Sequence, residues 1–226
     1  MRVLAIDTAL EACSAAVLDT EQAAIVASET RSMVRGHAEA LMPLVADVMR
    51  KAQLDFAELD RIAVTVGPGS FTGLRVGIAA ARGIGLAAMK PVVGLTTLAS
   101  LAAPYVAADD TMPVAAAIDA RHSQFYLQVF GAGARTLVAP RVATLGEAVW
   151  AASAAGARLV GSGAAAIAAE WPHPDGPPLV DQRRAPDIDW VARLGAAAIA
   201  SQAAPKPLYL RPPDARPQQA GQLSRR

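Results

Sequence analysis

The sequence predicts a duplicated α/β protein built of two small lobes, and two observations predict it. An apolar strand ending in Ile-Asp occurs twice, as "VLAID" at 3–7 and "AAAID" at 115–119, each time followed by a short polar turn and a second strand. Each half then alternates apolar strand patterns with helical ones, and repeats of this length argue for duplication rather than for a solenoid.

In chain order, "RVLAI", "CSAAVLD" and "AAIVASE" read as three strands, with Asp19 and Thr20 turning between the second and third, which predicts an antiparallel meander. Residues 36–52 place Ala38, Leu41, Met42, Val45, Val48, Met49 and Ala52 at helical spacing, with Pro43 expected near the first turn. "DFAE" at 55–58 has the form of a capping box, and "RIAVTV" is a buried strand that runs into the glycine-dense stretch "VGPGSFTGLRVG". A second helix is expected over 73–89, then the strand "PVVGL" and a shorter helix, "TTLASLAA", begun by a threonine cap. The pattern lapses over 104–113. Beyond the second Ile-Asp strand pair come a helix in "TLGEAVWAASAAG", a strand and glycine turn in "RLVGSG", a helix in "AAAIAAEW", a Pro-rich loop and a last helix in "DIDWVARLGAAAIASQ". The expected organisation is therefore a lobe over 1–104, a smaller lobe over 105–211 and a polar, disordered tail over 212–226.

Composition narrows the function classes. With 226 residues, 53% hydrophobic and 18% charged, the chain can bury a substantial core. Its 21 Lys+Arg against 20 Asp+Glu supply no global basic field for nucleic acid, and a stand-alone RNA binder lacks a basic stripe or aromatic platform in the sequence. The single Cys13 excludes an internal disulfide and a cysteine metal cluster, and sits in a predicted strand as an inert buried thiol. The charged start is unlike a signal peptide and Arg82, Lys90 and Pro104 break the longest apolar stretch, so no membrane span and a cytoplasmic location are expected.

The glycine stretch poses a choice between a phosphate cradle and a tight turn. Gly67, Gly69 and Gly73 spell G-x-G-x-x-x-G, which matches neither the dinucleotide fingerprint nor a P-loop. A strand-to-helix turn commonly needs glycine, so a structural or partner-facing turn is the expectation, although Ser70, Thr72 and a helix N-terminus could favour an anion. After the turn, Gly73, Gly77, Ala81 and Gly85 recur every four residues and form a stripe almost without side chains. Such a stripe admits another backbone closely, either that of its own sheet or that of another chain. The wide apolar spread of the first helix suggests two neighbours for it. Asp7 and Asp119 end strands before turns and are expected to cap those turns through nearby backbone N–H groups. Of the three histidines, His37, His122 and His173, no two could converge from one helix face on a metal, and His37, at a helix start, is the one expected to meet a partner.

Taken together, "MRVLAIDTALEACSAAVL", "GHAEALMPLV", "GPGSFTGLRVG", "PVVGLTTLASLA", "AAIDARHSQFY", "LVGSG" and "PLYLR" resemble, in order and spacing, the TsaB (YeaZ) family of bacterial tRNA modification proteins from residue 1 to about 211. The resemblance implies an actin/Hsp70/sugar-kinase-like fold with a ribonuclease H-like topology. It also implies a subunit that pairs with a homologous catalytic threonylcarbamoyltransferase, and with a P-loop ATPase, in making N6-threonylcarbamoyladenosine (t6A) in tRNAs that read codons beginning with A. The catalytic relative's helical histidine pair is missing, and "DTALEACS" lacks the Gly-Thr that follows the strand-end Asp in ATP-using members, so Asp7 and Asp119 are degenerate phosphate-loop positions. The expectation is a non-catalytic scaffold without a metal or cofactor of its own, contacting tRNA indirectly and forming a homodimer when alone. The alternative is an enzyme in its own right, a glycoprotease-like metallopeptidase or an ATPase of this superfold. The expected partner interface is His37, Leu41, Leu44, Val45, Val48, Gly73, Leu74, Gly77, Ala81 and Gly85, on helices over 36–51 and 73–89. Gly67, Pro68, Gly69, Ser70, Phe71, Thr72 and Arg75 are expected at the subunit junction, as candidate contacts for a nucleotide or tRNA.

Overall fold

Three antiparallel strands, β1 (Arg2–Asp7), β2 (Ala12–Asp19) and β3 (Ala24–Ser32), open the structure, a computed structural model that describes residues 1–200 and 203–211. α1 (His37–Ala52) then crosses to β4 (Arg61–Gly67), and α2 (Phe71–Ala88) to β5 (Val92–Thr96). Both of these strands run parallel to β1, which gives one sheet in the order β3-β2-β1-β4-β5. After α3 (Thr97–Ala108) the pattern starts again with β6 (Val114–Asp119), β7 (Gln124–Phe130), β8 (Thr136–Thr144), α4 (Leu145–Ala154), β9 (Arg158–Val160), α5 (Ala164–Ala169), β10 (Val180–Asp181) and α6 (Ile188–Ala197). The second sheet reads β8-β7-β6-β9-β10 from the corresponding edge, the same order as the first. Ile6 and Asp7 pair with Ala15 and Ser14, and Ile118 and Asp119 with Tyr126 and Phe125, so the Ile-Asp repeat marks equivalent places in a duplicated actin/Hsp70/sugar-kinase-like fold.

Strand alternation distributes the core. Leu4 and Ile6 of β1 point to one face, where Leu41, Leu44, Val45 and Val48 of α1 and Leu74 and Ile78 of α2 cover them. Val3 and Ala5 point to the other face, against Ile188, Val191 and Ala192 of α6. The second sheet repeats this plan with α4 and α5 on one face and α3 on the other. α3 and α6 also touch each other, which joins the two sheets. Thus α6, which lies within 105–211, returns to the first sheet; Arg61 fixes its end by donating to the Gly195 and Ala198 carbonyls at 2.9 and 2.6 Å.

Several elements differ from expectation for identifiable reasons. α2 begins at Phe71 rather than at 73, because Ser70 is its N-cap and accepts from the Gly73 N–H at 3.3 Å. Pro43 lies in the second turn of α1, not the first; it is exposed, so the carbonyl it leaves unbonded can be hydrated. α3 continues through Pro104 to Ala108 under its Thr96 cap, past the point where the sequence pattern lapses. β8 and β10 were not expected: β8 contains Pro140 and is largely exposed, and β10 is two residues long. The capping box at Asp55 forms as expected, with its N–H donating to Glu58 at 2.8 Å. The expected disordered tail over 212–226 lies outside the described residues.

Candidate functional site

The glycine stretch after β4 is a turn pressed against the turn after β1. Gly67 has φ +116, and a Cβ there would lie 2.8 Å from the Leu208 carbonyl oxygen. A Cβ at Gly69 would lie 2.3 Å from the Ala9 oxygen, and one at Gly73 2.1 Å from the Thr8 oxygen. Two hydrogen bonds seal the contact: Ser70 N–H donates to the Ala9 carbonyl at 2.8 Å, and Thr8 Oγ1 donates to the Gly73 carbonyl at 2.7 Å. The strand-end turn and the start of α2 therefore meet backbone to backbone.

Asp7 is fully buried beneath this contact. Its Oδ1 accepts from Thr65 Oγ1 at 2.5 Å and from Ala9 N–H at 3.2 Å, the latter being the turn cap that its position predicts. Burial outweighs those bonds and the neighbouring His37 charge, and its pKa is pushed up to about 6. A carboxylate enclosed in this way does not reach a metal-bound phosphate, so the residues present do not fit the nucleotide site of the fold's ATP-using members. Asp119 caps the equivalent turn, accepting from Arg121 N–H at 2.7 Å, but is exposed. It borders a cleft of about 420 Å³ between the lobes, together with Ser70, Phe71, Arg121, Tyr126 and Tyr209. Cys13 is buried, and burial pushes its thiol up to about 11, as befits an inert core residue.

The expected partner interface requires correction. Leu41, Leu44, Val45, Val48, Leu74 and Ala81 are at most 1% exposed and belong to the core of the first lobe. The stripe of small residues faces the chain's own sheet: a Cβ at Gly77 would lie 2.4 Å from Thr8 Oγ1, and one at Gly85 2.4 Å from Val92 Cγ2. His37 is also buried, with Nε2 3.2 Å from the Leu10 carbonyl, and so is not the partner contact expected of it. His122 lies in the β6–β7 turn and His173 in the α5–β10 loop.

What α2 exposes is a different pair of flanks. Toward α1 run Ala80, Gly83 and Ala87, with Val76 one turn before them, a second series of small residues that the sequence reading did not single out. Around Gly83 a side chain would meet nothing within 4 Å. Met42, Phe56, Ala80, Gly83, Ile84 and Ala87 line an apolar groove of about 490 Å³ here, and Met42 is 48% exposed. On the opposite flank Arg75 sits 3.7 Å over the Phe71 ring and donates from Nε to the Tyr209 hydroxyl at 3.0 Å. Phe71 and Tyr209 stack with centroids 5.3 Å apart. Of the expected junction residues, Gly69, Ser70 and Phe71 reach the cleft, whereas Pro68 is buried and Gly67 packs beneath Leu208.

A family model described as TsaD, tRNA N6-adenosine threonylcarbamoyltransferase, matches residues 24–174. The chain is 37% identical over 126 residues to the tRNA threonylcarbamoyladenosine biosynthesis protein TsaB of Escherichia coli (strain K12), a match covering 56% of this chain and 53% of that protein. The chain thus spans about half the length of that relative. An uncharacterized protein of Mycobacterium tuberculosis (strain H37Rv) is 36% identical over 218 residues, covering 95% of this chain and 94% of its own. Among solved structures, a Pseudomonas aeruginosa protein described as similar to peptidase YEAZ superposes with a TM-score of 0.79 at 30% identity, over 93% of this chain and 99% of the other. YeaZ from the same organism gives 0.75 at 29% identity, over 92% and 99%. With the duplicated sheets, the sealed glycine turn and these matches along nearly its whole described length, the chain belongs to the TsaB (YeaZ) family.

Proposed function

We propose that this chain is the non-catalytic scaffold and activating subunit of a t6A-forming assembly, pairing with the homologous catalytic threonylcarbamoyltransferase in the modification of tRNAs that read A-starting codons. The observation that carries this reading is the apolar groove between α1 and α2, in a chain whose residues 24–174 match the family model of the catalytic subunit. A helix of the partner laid along Val76, Ala80, Gly83 and Ala87 could approach the α2 backbone closely, because no side chain longer than valine intervenes. The non-catalytic assignment is supported by enclosed Asp7, by the closed glycine turn and by three histidines on separate elements. The printed name of the E. coli relative supports the pathway.

In this reading the chain brings no metal or cofactor, and the cleft beside Ser70 and Phe71 is where a nucleotide shared with the partner would sit. The P-loop ATPase of the pathway is a further partner. Without a catalytic subunit the exposed groove pairs with a second copy of itself. The test is reconstitution of t6A on a tRNA transcript from the catalytic homologue, the ATPase and the adenylate-forming enzyme, with and without this chain. Modification that depends on the chain, with no ATP hydrolysis by the chain alone, is expected; equal modification without it overturns the reading.

A further inference from the structure

The flank of α2 turned away from the groove carries a second surface. Between Asp60 and Asp109 the chain has no carboxylate, and within that stretch Arg75, Arg82 and Lys90 reach the surface. Arg75 and Arg82 are seven residues apart, so they share one flank about 10.5 Å apart along the axis. Arg82 and Lys90 border one hollow of about 460 Å³. None of the three has a carboxylate partner among the described residues, whereas Arg31, Arg50 and Lys51 on the α1 side are all ion-paired to Glu29 or Asp47. At the start of the same flank stands the Phe71–Tyr209 stack with the Arg75 guanidinium over it, joining residues far apart in sequence. The three cations thus come from one stretch of sequence, residues 75–90, and the fold adds Tyr209 from far along the chain to complete an aromatic pair with Phe71.

We infer that this flank, with Phe71, Arg75, Arg82, Lys90 and Tyr209, binds RNA directly, the cations meeting phosphates and the aromatic pair taking an unstacked base. Cations without a carboxylate partner gain from phosphate contact through counterion release, and an aromatic pair held by its neighbours offers a base a preformed partner, here at the edge of a cleft that Glu11 and Asp119 also line. That the RNA is tRNA rests on the function proposed above; the surface itself rests on charge and geometry. Its hollow meets the groove at Gly83 and the two otherwise have different lining residues, so tRNA and the catalytic subunit can occupy the helix together.

The test is the affinity of the full chain for a fluorescent, unmodified tRNA transcript across salt concentrations. Arg82→Glu combined with Lys90→Glu is expected to weaken binding tenfold or more at low salt and to reduce the slope of log K against log salt by about 1.5. Phe71→Ala should weaken it about tenfold with little change in slope. Arg135→Glu, an exposed cation of the second lobe, should do neither. No binding by the wild type, or equal binding by the double variant, overturns the inference. So does loss of the pathway ATPase by the double variant with RNA affinity unchanged, which would assign the flank to an acidic protein. If the chain supports t6A formation but its RNA affinity ignores Arg82 and Lys90, the scaffold reading stands and this one falls; RNA binding at the flank without any role in t6A gives the reverse.

Discussion

The two lobes repeat one strand order and one strand-end aspartate, yet they treat that aspartate oppositely. Asp7 is sealed under the meeting of two turns, and α2 beyond it is 18 residues long with two exposed flanks. Asp119 stays open to the cleft, and α5 in the equivalent place has 6 residues. In both lobes a glycine backs onto the lobe's first strand or the turn just after it: a Cβ at Gly161 would lie 2.3 Å from the Ala117 oxygen, much as Gly73 meets Thr8. The shared part is therefore close backbone packing, and what differs is the surface raised on it. In the first lobe the strand-end carboxylate is enclosed under a long helix with two exposed flanks, and in the second it is exposed beside a short one.

The sharpest way to break this comparison is to disturb the close packing under α2. Gly77→Leu, which sequence alone would place at an interface, should instead cost about 3 kcal/mol of folding stability, since its side chain enters the space of Thr8; urea unfolding measures it. Asp7 provides a pH test of comparable size. Its pKa rises from 3.8 to about 6 on folding, so between those values the native state holds a proton that the unfolded chain has released. Stability accordingly falls as pH rises through that window, by about 3 kcal/mol for a fully buried group. In Asp7→Asn that part of the slope should vanish, whereas exposed Asp119→Asn should change stability by less than about 0.5 kcal/mol.

The outer flank should respond in the opposite sense. Gly83→Glu adds a side chain into open space and improves helix propensity by up to about 1 kcal/mol, so the monomer should be no less stable. Self-association should weaken about a hundredfold, as read by sedimentation equilibrium. Smallest are the helix caps. Thr144→Ala removes a full capping box from α4 and should cost about 1 kcal/mol, while Ser70→Ala removes a single 3.3 Å bond from α2 and should cost about 0.5 kcal/mol.

The contrast between the flanks also explains how far the sequence could be read. The Ile-Asp repeat, the meander and the caps at Asp55 and Thr96 are local patterns, and they predicted their elements. β8 escaped because an exposed strand containing a proline carries no apolar alternation, and β10 because two residues carry no period. Gly73, Gly77, Ala81 and Gly85 read from sequence as a face open to a neighbour, yet they turn inward, because periodicity does not say which way a face turns. Only the contacts of Thr8 and Val92 decide it. The Phe71–Arg75–Tyr209 cluster joins residues separated by most of the chain, and no local signal marks it.

The most direct test of the account is sedimentation velocity of this chain mixed with its catalytic homologue, comparing wild type with Gly83→Glu while circular dichroism verifies the fold. The account predicts a heteromeric complex with the wild type and none with the variant at equal concentration and unchanged spectrum. A natively folded Gly83→Glu that binds the catalytic homologue as tightly as the wild type would contradict the placing of the pairing face on the outer flank of α2.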